Sequence, residues 1–263
     1  ICGKKLYNFI PFVEEILGVE FTSVPKVNEV NEKYVREPNL NGSFLDDLKG
    51  TFDDDRYSIE HNERLLHSHG QHSTDEVYKV LYNKLDRFAD MVFYIETEDE
   101  AKTLVDLAKK HNVCLIPYGG GTNVTNALKP PKDEKRMIVS VDTRRMDAVE
   151  SIDEENLMVT VQAGITGKAL EERLNMKGLT VGHEPDSYEF STVGGWISTN
   201  AAGMKKHKYG NIEDIVQNLS MITPKGVISQ KEPLPRSSFG IKTQNILFGS
   251  EGNLGIITRA TLK

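Results

Sequence analysis

The spacing of apolar positions changes along this chain, and the change separates a helical leader from a strand-rich remainder. Leu6, Phe9, Ile10, Val13, Ile16 and Leu17 recur at helical spacing, with Pro11 expected to break or kink that helix. The polar stretch 28–55 reads as a connector, and its Asp53-Asp54-Asp55 run as a solvated loop. Ser73 with Glu76 has the spacing of a capping box, ahead of a helical stripe at Val77, Val80, Leu81 and Leu85.

From Met91 onward the apolar runs become short. Residues 91–95 predict a strand, Thr97 with Glu100 a second capping box, the stretch up to His111 a helix, and 113–116 another strand, which together make a βαβ unit. Further strands are expected at 137–141, 157–161 and 255–262, and within 212–223, where Pro224-Lys225-Gly226 turns the chain into a hairpin partner at 227–229. A helix is expected over 167–176, stopped at Gly178. The fold class is α+β, with residues 1–85 as a helical N-terminal region and residues 86–263 as two small lobes.

Composition narrows the function classes. The 263 residues carry 32 Lys+Arg against 39 Asp+Glu, a net charge of −7, which disfavours nucleic acid as a general partner. Hydrophobic residues make up 38% of the chain, enough for a sizeable core, and no apolar run approaches the roughly 18 residues of a membrane span. Cys2 and Cys114 cannot make a disulfide framework or a structural zinc site, so a reducing compartment is expected. The chain starts at Ile1 and stops at Lys263 directly after a strand-like run, and is expected to be a fragment of a longer protein.

Three small-residue clusters are the candidates for chemistry. Pro117-Tyr118-Gly119-Gly120-Gly121-Thr122-Asn123 follows a strand, and its consecutive glycines suit either a tight turn or a nest of backbone N–H groups around an anion such as a pyrophosphate. Asp186-Ser187-Tyr188-Glu189-Phe190-Ser191-Thr192-Val193-Gly194-Gly195-Trp196, continuing through Ser198-Thr199-Asn200-Ala201-Ala202-Gly203, suits either a polar cofactor groove or close helix packing. Glu251-Gly252-Asn253-Leu254-Gly255-Ile256-Ile257 is a glycine-punctuated turn entering a strand. Trp196 reads as a core residue, and Lys205-Lys206-His207-Lys208 as a solvated basic run or an attractor of phosphate or lipid. His61, His67, His69 and His72 lack the spacing of a helical zinc site, and no metal is expected.

In this order and at these spacings the clusters resemble the FAD-binding domain of the vanillyl-alcohol-oxidase-type (PCMH) flavoproteins. Within that superfamily the stretch 182–214 matches the alkyldihydroxyacetonephosphate synthase family. The resemblance runs from about residue 64 to the C-terminus. It implies a two-lobed domain in which the first cluster wraps the FAD pyrophosphate, Asp186 through Thr192 and Thr199 through Ala202 line the flavin and ribityl chain, and the third cluster closes over the cofactor. The glycine loop has Thr122 and Asn123 where covalent members have a His or Cys tether, which implies noncovalent FAD.

The resemblance also implies exchange of the acyl group of an acyl-dihydroxyacetone phosphate for a fatty alcohol, without net redox change. It further implies a peroxisomal homodimer with room for peripheral membrane association, and acid/base residues beyond Lys263, so no catalytic residue is assigned. His69-Gly70-Gln71-His72 matches the family's His-Gly-His element only with one residue inserted. The alternatives are an FAD-linked 2-hydroxy-acid dehydrogenase or oxidase, and a non-catalytic flavin-binding module.

Overall fold

The computed structural model describes residues 8–22, 34–230, 238, 240 and 242–263; Cys2 and Leu6 lie outside them. Helix α1 (Phe9–Leu17) runs on past Pro11, correcting the expected break. Pro11 is the third residue of the helix, where the missing N–H is one that a helix start leaves unbonded anyway. No residue of α1 is buried.

Helix α2 (Gly42–Lys49) stands in the stretch expected to be a connector. The Asn41 side chain caps it by accepting from Phe44 N at 3.1 Å, and Phe44 and Leu48, one turn apart, are fully buried. Two deep anchors in a polar background are enough to fix the helix once a sheet is there to receive them. Asp54–Arg56 form a single tight turn leading into β1 (Tyr57–Ser58). In α3 (His61–Leu66), Arg64 is fully buried, its Nε donating to Ala89 O at 2.8 Å and its guanidinium to Arg36 O at 2.7 Å.

Helix α4 (Thr74–Leu81) lacks the expected capping box: the Ser73 side chain makes no cap bond, and Glu76 is turned inward and buried. It ends at Leu81, followed by Asn83 at φ 54, yet Leu85 still joins Val35, Leu65, Val80 and Phe88 in a small apolar cluster.

The first lobe holds β2 (Met91–Tyr94), α5 (Glu98–Lys110), β3 (Cys114–Tyr118) and β4 (Ile138–Asp142). The predicted βαβ unit is present, but β4 lies between its strands: the sheet order is β1-β2-β4-β3, with β2 and β3 both parallel to β4. Thr97 caps α5, accepting from Glu100 N at 3.2 Å, while the Glu100 carboxylate turns to Glu96 N and Arg56 instead of closing the box. Phe44 and Leu48 pack into this lobe's core with Met91, Phe93, Val139 and Val141.

The second lobe contains β5 (Val149–Asp153), β6 (Met158–Gln162), α6 (Gly167–Asn175), α7 (Val193–Ser198), α8 (Lys206–Tyr209), α9 (Ile212–Ile215), β7 (Val216–Thr223), β8 (Gly226–Ser229) and β9 (Ile256–Leu262). Its antiparallel sheet has the order β5-β6-β9-β7-β8. Two readings of the sequence change here: β5 was not expected, and the apolar run from Ile212 opens with a one-turn helix before β7 begins. Helix α5 packs against β3 and also against β7 and β9, and Ile222 and Ile256 complete the first lobe's core, so the lobes share an interior.

Because Phe44 fills a site with no exposure, Phe44→Ala is expected to cost about 3–5 kcal/mol of stability. A urea midpoint equal to that of the parent protein would show that α2 is dispensable to the core.

Candidate cofactor-binding cleft

Where the lobes meet, a cleft of about 290 Å³ opens at the end of β3. All three small-residue clusters line it. The glycine loop after β3 passes so close to the second cluster that a Cβ on Gly120 would lie 2.1 Å from Phe190 O, and one on Gly119 2.5 Å from Thr192 Oγ1. Gly121 has φ +69, which favours glycine for a second reason. Thr192 caps α7, accepting from Gly195 N at 3.1 Å, so one side chain fixes both the loop and the helix start.

The third cluster is tied to the end of α7: Gly249 N donates to Ile197 O at 3.0 Å and Glu251 N to Ser198 O at 2.9 Å. Thr125 Oγ1 donates to Glu251 Oε1 at 2.6 Å, clasping it to the stretch after the glycine loop.

A polar network holds the loop from behind. Tyr118 O accepts from both Thr143 N (3.0 Å) and Thr143 Oγ1 (3.1 Å), while Gln71 N donates to Gly121 O at 2.7 Å and Gln71 Nε2 to the Tyr118 hydroxyl at 3.1 Å. The His67 ring stacks at 4.4 Å from the Tyr118 ring, with Nδ1 2.7 Å from Glu63 O and Nε2 2.8 Å from Asp142 Oδ2. Arg144, two residues further along the chain, forks onto the same carboxylate, its Nε 3.1 and 3.0 Å from the two oxygens. Burial alone would push the Asp142 carboxyl up, but the bonds from His67 and Arg144 outweigh it and hold it below the usual range.

The structure brings together all seven residues of the first cluster. From the second, Ser187, Ser191, Thr192, Thr199 and Ala201 line the cleft, whereas Asp186, Tyr188, Glu189, Phe190, Asn200 and Ala202 do not. From the third, Glu251, Gly252, Gly255, Ile256 and Ile257 line it, and Asn253 and Leu254 do not. Gly194, Gly195 and Ser198 of the second cluster also line it, while Val124, Thr125, Ala127, Leu128, Thr143 and Pro185 were not anticipated as lining residues. Thr143 carried no signal in the sequence, since it adjoins the cleft only because β4 lies beside β3. Trp196 is buried in the second lobe's core as expected, but it also reaches the cleft wall, donating from Nε1 to Ser191 Oγ at 2.8 Å.

The four N-terminal histidines do not converge. His61 lies 3.8 Å from Glu37, His67 serves the network above, and His69 is buried with Nδ1 2.8 Å from Gly70 O. Among the described residues no group of three or more His, Cys, Asp or Glu could hold a metal ion. Lys205 pairs with Glu184, beside the cleft residue Pro185, while Lys206, His207 and Lys208 stay exposed on α8.

The donor set suits a dinucleotide. Among the described residues, no protein acceptor takes a main-chain N–H of Gly119, Gly120, Gly121, Thr122 or Asn123, so these groups are free for an anion such as a pyrophosphate. Hydroxyls of Ser187, Ser191, Thr192, Ser198 and Thr199 line the adjoining wall. The chain belongs to the FAD binding domain family, whose model matches residues 89–230, more than half of the chain, and FAD is its cofactor.

Its relatives include an alkyldihydroxyacetonephosphate synthase of Caenorhabditis elegans, 42% identical over 100% of this chain and 44% of the relative. Another, of Trypanosoma brucei brucei, is 33% identical over 99% of this chain and 43% of the relative. A mitochondrial D-lactate dehydrogenase (cytochrome) of Kluyveromyces lactis is 24% identical over 96% of this chain and 44% of the relative. A solved structure of an alkyldihydroxyacetonephosphate synthase superposes with a TM-score of 0.82 at 37% identity, covering 87% of this chain and 41% of that one. The chain spans less than half the length of these relatives.

Two outcomes follow for the cleft and its surroundings. Gly120→Ala is expected to weaken FAD binding at least about tenfold, because a main-chain clash must be relieved by moving the loop off the 187–192 segment. Flavin fluorescence quenching measures it, and unchanged affinity would show that the close approach is incidental.

His183, packed 4.8 Å from Trp196 with neither ring nitrogen hydrogen-bonded among the described residues, is pushed down by burial to about 4. The unfolded chain binds this proton more readily, so stability should fall as pH drops from about 6.5 toward 4, by about 3 kcal/mol in all. His183→Leu should flatten that limb of the Tm-against-pH curve; an equally steep limb in the variant would assign the loss to other groups.

Proposed function

We propose that these residues form the FAD-binding part of an alkyldihydroxyacetonephosphate synthase, which exchanges the acyl chain of an acyl-dihydroxyacetone phosphate for a long-chain alcohol and releases the fatty acid. The observation that carries this reading is the 33–42% identity to synthases along nearly the whole chain, against 24–28% to D-lactate dehydrogenases over a similar span, with the three clusters meeting at one cleft.

When bound, FAD supplies the electron-rich ring at which one oxygen substituent of the substrate is replaced by another, leaving the cofactor's redox state unchanged over the cycle. The chain's own residues hold and orient it. The free N–H groups of the glycine loop bind the pyrophosphate, and Ser187, Ser191 and Thr192 fix the polar part of the cofactor between them and α7. Pro117, Ile256 and Ile257 give the cleft an apolar side that keeps water from it.

Among the described residues no His or Cys lines the cleft, which supports noncovalent attachment. The exposed Lys206 and Lys208 near the Lys205–Glu184 pair favour approach of a phosphorylated substrate. Resemblance to the family supports a peroxisomal homodimer that touches the membrane peripherally; imaging of the tagged native protein against a peroxisomal marker would locate it.

The test is made on the full-length native protein. Labelled long-chain alcohol supplied with acyl-dihydroxyacetone phosphate is expected to appear in the alkyl product, with fatty acid released and no bleaching of the flavin. Bleaching by D-lactate or glycolate without alcohol incorporation would instead identify a 2-hydroxy-acid dehydrogenase, and bound FAD with neither reaction a flavin-binding module.

A further inference from the structure

Behind the glycine loop, three polar groups converge on the space where Gly70 lacks a side chain. A methyl group built on Gly70 would lie 2.7 Å from Glu76 Oε2, 2.7 Å from Asn123 O and 3.1 Å from Asn123 Nδ2. Glu76 projects from α4 and is 1% exposed, with neither carboxylate oxygen hydrogen-bonded among the described residues. Asn123 closes the glycine loop and lines the cleft; its Oδ1 accepts from Ala127 N at 3.1 Å, but its Nδ2 is buried without a partner. An apolar side chain could fill the inner face of α4 without the cost of burying a carboxyl. What distinguishes Glu76 is that Asn123, across the space beside Gly70, offers one acceptor and one unused donor.

We infer that Glu76 is a positioning residue for the FAD-binding loop, acting as a neutral carboxyl that clamps Asn123. A small shift of the loop onto the carboxyl lets its O–H donate to Asn123 O and its other oxygen accept from Asn123 Nδ2, pairing groups that have no partner among the described residues. An ionised carboxyl would lose the donor and face the Asn123 carbonyl with like charge, releasing the loop. The inference rests on FAD occupying the cleft.

The charged and titratable surroundings agree with it. Burial, reinforced by Asp75, pushes the Glu76 carboxyl up, against the weaker pull of the nearby Gly70 N–H, Lys129 and Lys79. His69, beside Gly70, is pushed down by burial and so adds no further cation to this corner. The cofactor's pyrophosphate brings negative charge to the other side of the same loop, which favours the protonated carboxyl further. FAD binding and proton uptake at Glu76 are therefore linked, and affinity falls as pH rises through the pKa of Glu76 in the free protein.

The test is calorimetric titration of the apoprotein with FAD, from about pH 5 up to about 8, in buffers of different ionisation enthalpy. The parent protein is expected to take up a fraction of a proton per FAD and to lose about tenfold in affinity across the range. In Glu76→Gln, whose amide makes the same two bonds at every pH, affinity should match the parent at low pH, stay level with pH and show no proton uptake. Glu76→Leu, which fills the space without bonding, should bind about tenfold more weakly at every pH while its Tm confirms folding. Proton uptake unchanged in Glu76→Gln, which would assign it to His69 or another group, would overturn the inference, as would parent-like affinity in Glu76→Leu. Failure of the parent protein itself to bind FAD would overturn the cofactor reading as well, which separates the two.

Discussion

Approach of glycine main chain to its neighbours, closer than a Cβ permits, is the constraint on which the cleft depends. Gly120 lies against the Phe190 carbonyl, Gly119 against Thr192, and Gly252 against the Pro117 ring, where an added Cβ would come within 3.0 Å of Cδ. These contacts turn three separate turns into one wall whose surface is mostly backbone, and backbone donors cannot be rotated away as side chains can. Ordering so many glycines is entropically expensive. The cost is offset by anchoring each turn to a regular element: the first to β3, the second to α7, the third to β9.

The parallel pair β3 and β4 gives that wall its footing. Their ends, Tyr118 and Asp142, are aligned in register, and the next residue, Thr143, bonds twice to the Tyr118 carbonyl. The buried His67–Asp142 contact then joins the strand ends to the N-terminal segment, which also supplies Gln71 to the loop. Segments before residue 89 and after residue 230 thus shape a site whose family match lies between them.

The glycine loop was legible in the sequence because consecutive glycines after a strand have few other uses, but the choice between a turn and an anion nest needed the second cluster beside it. Positions within 186–192 were readable as a motif and not individually. Phe190 packs its main-chain oxygen against Gly120 behind the wall while the residue as a whole is 45% exposed, and no residue-type argument separates those roles. Helix α2 was missed because its burial depends on two residues, Phe44 and Leu48, amid polar neighbours, and β5 because only Val149 and Ile152 stand out in a run that is half solvated. Glu76 shows the opposite failure: its spacing from Ser73 is that of a cap, and tertiary burial overrode it.

Strand order carries a consequence for how the second lobe comes into being. Strand β9, the last in sequence among the described residues, is the middle strand of its sheet, flanked by β6 on one side and β7 on the other. As the polypeptide leaves the ribosome, the β5–β6 and β7–β8 hairpins can each form locally, but neither has its inner neighbour until residues 256–262 emerge. During that interval two open strand edges face the cytosol unpaired, a state in which a waiting chaperone, or another copy's edge, competes for the place that β9 will take.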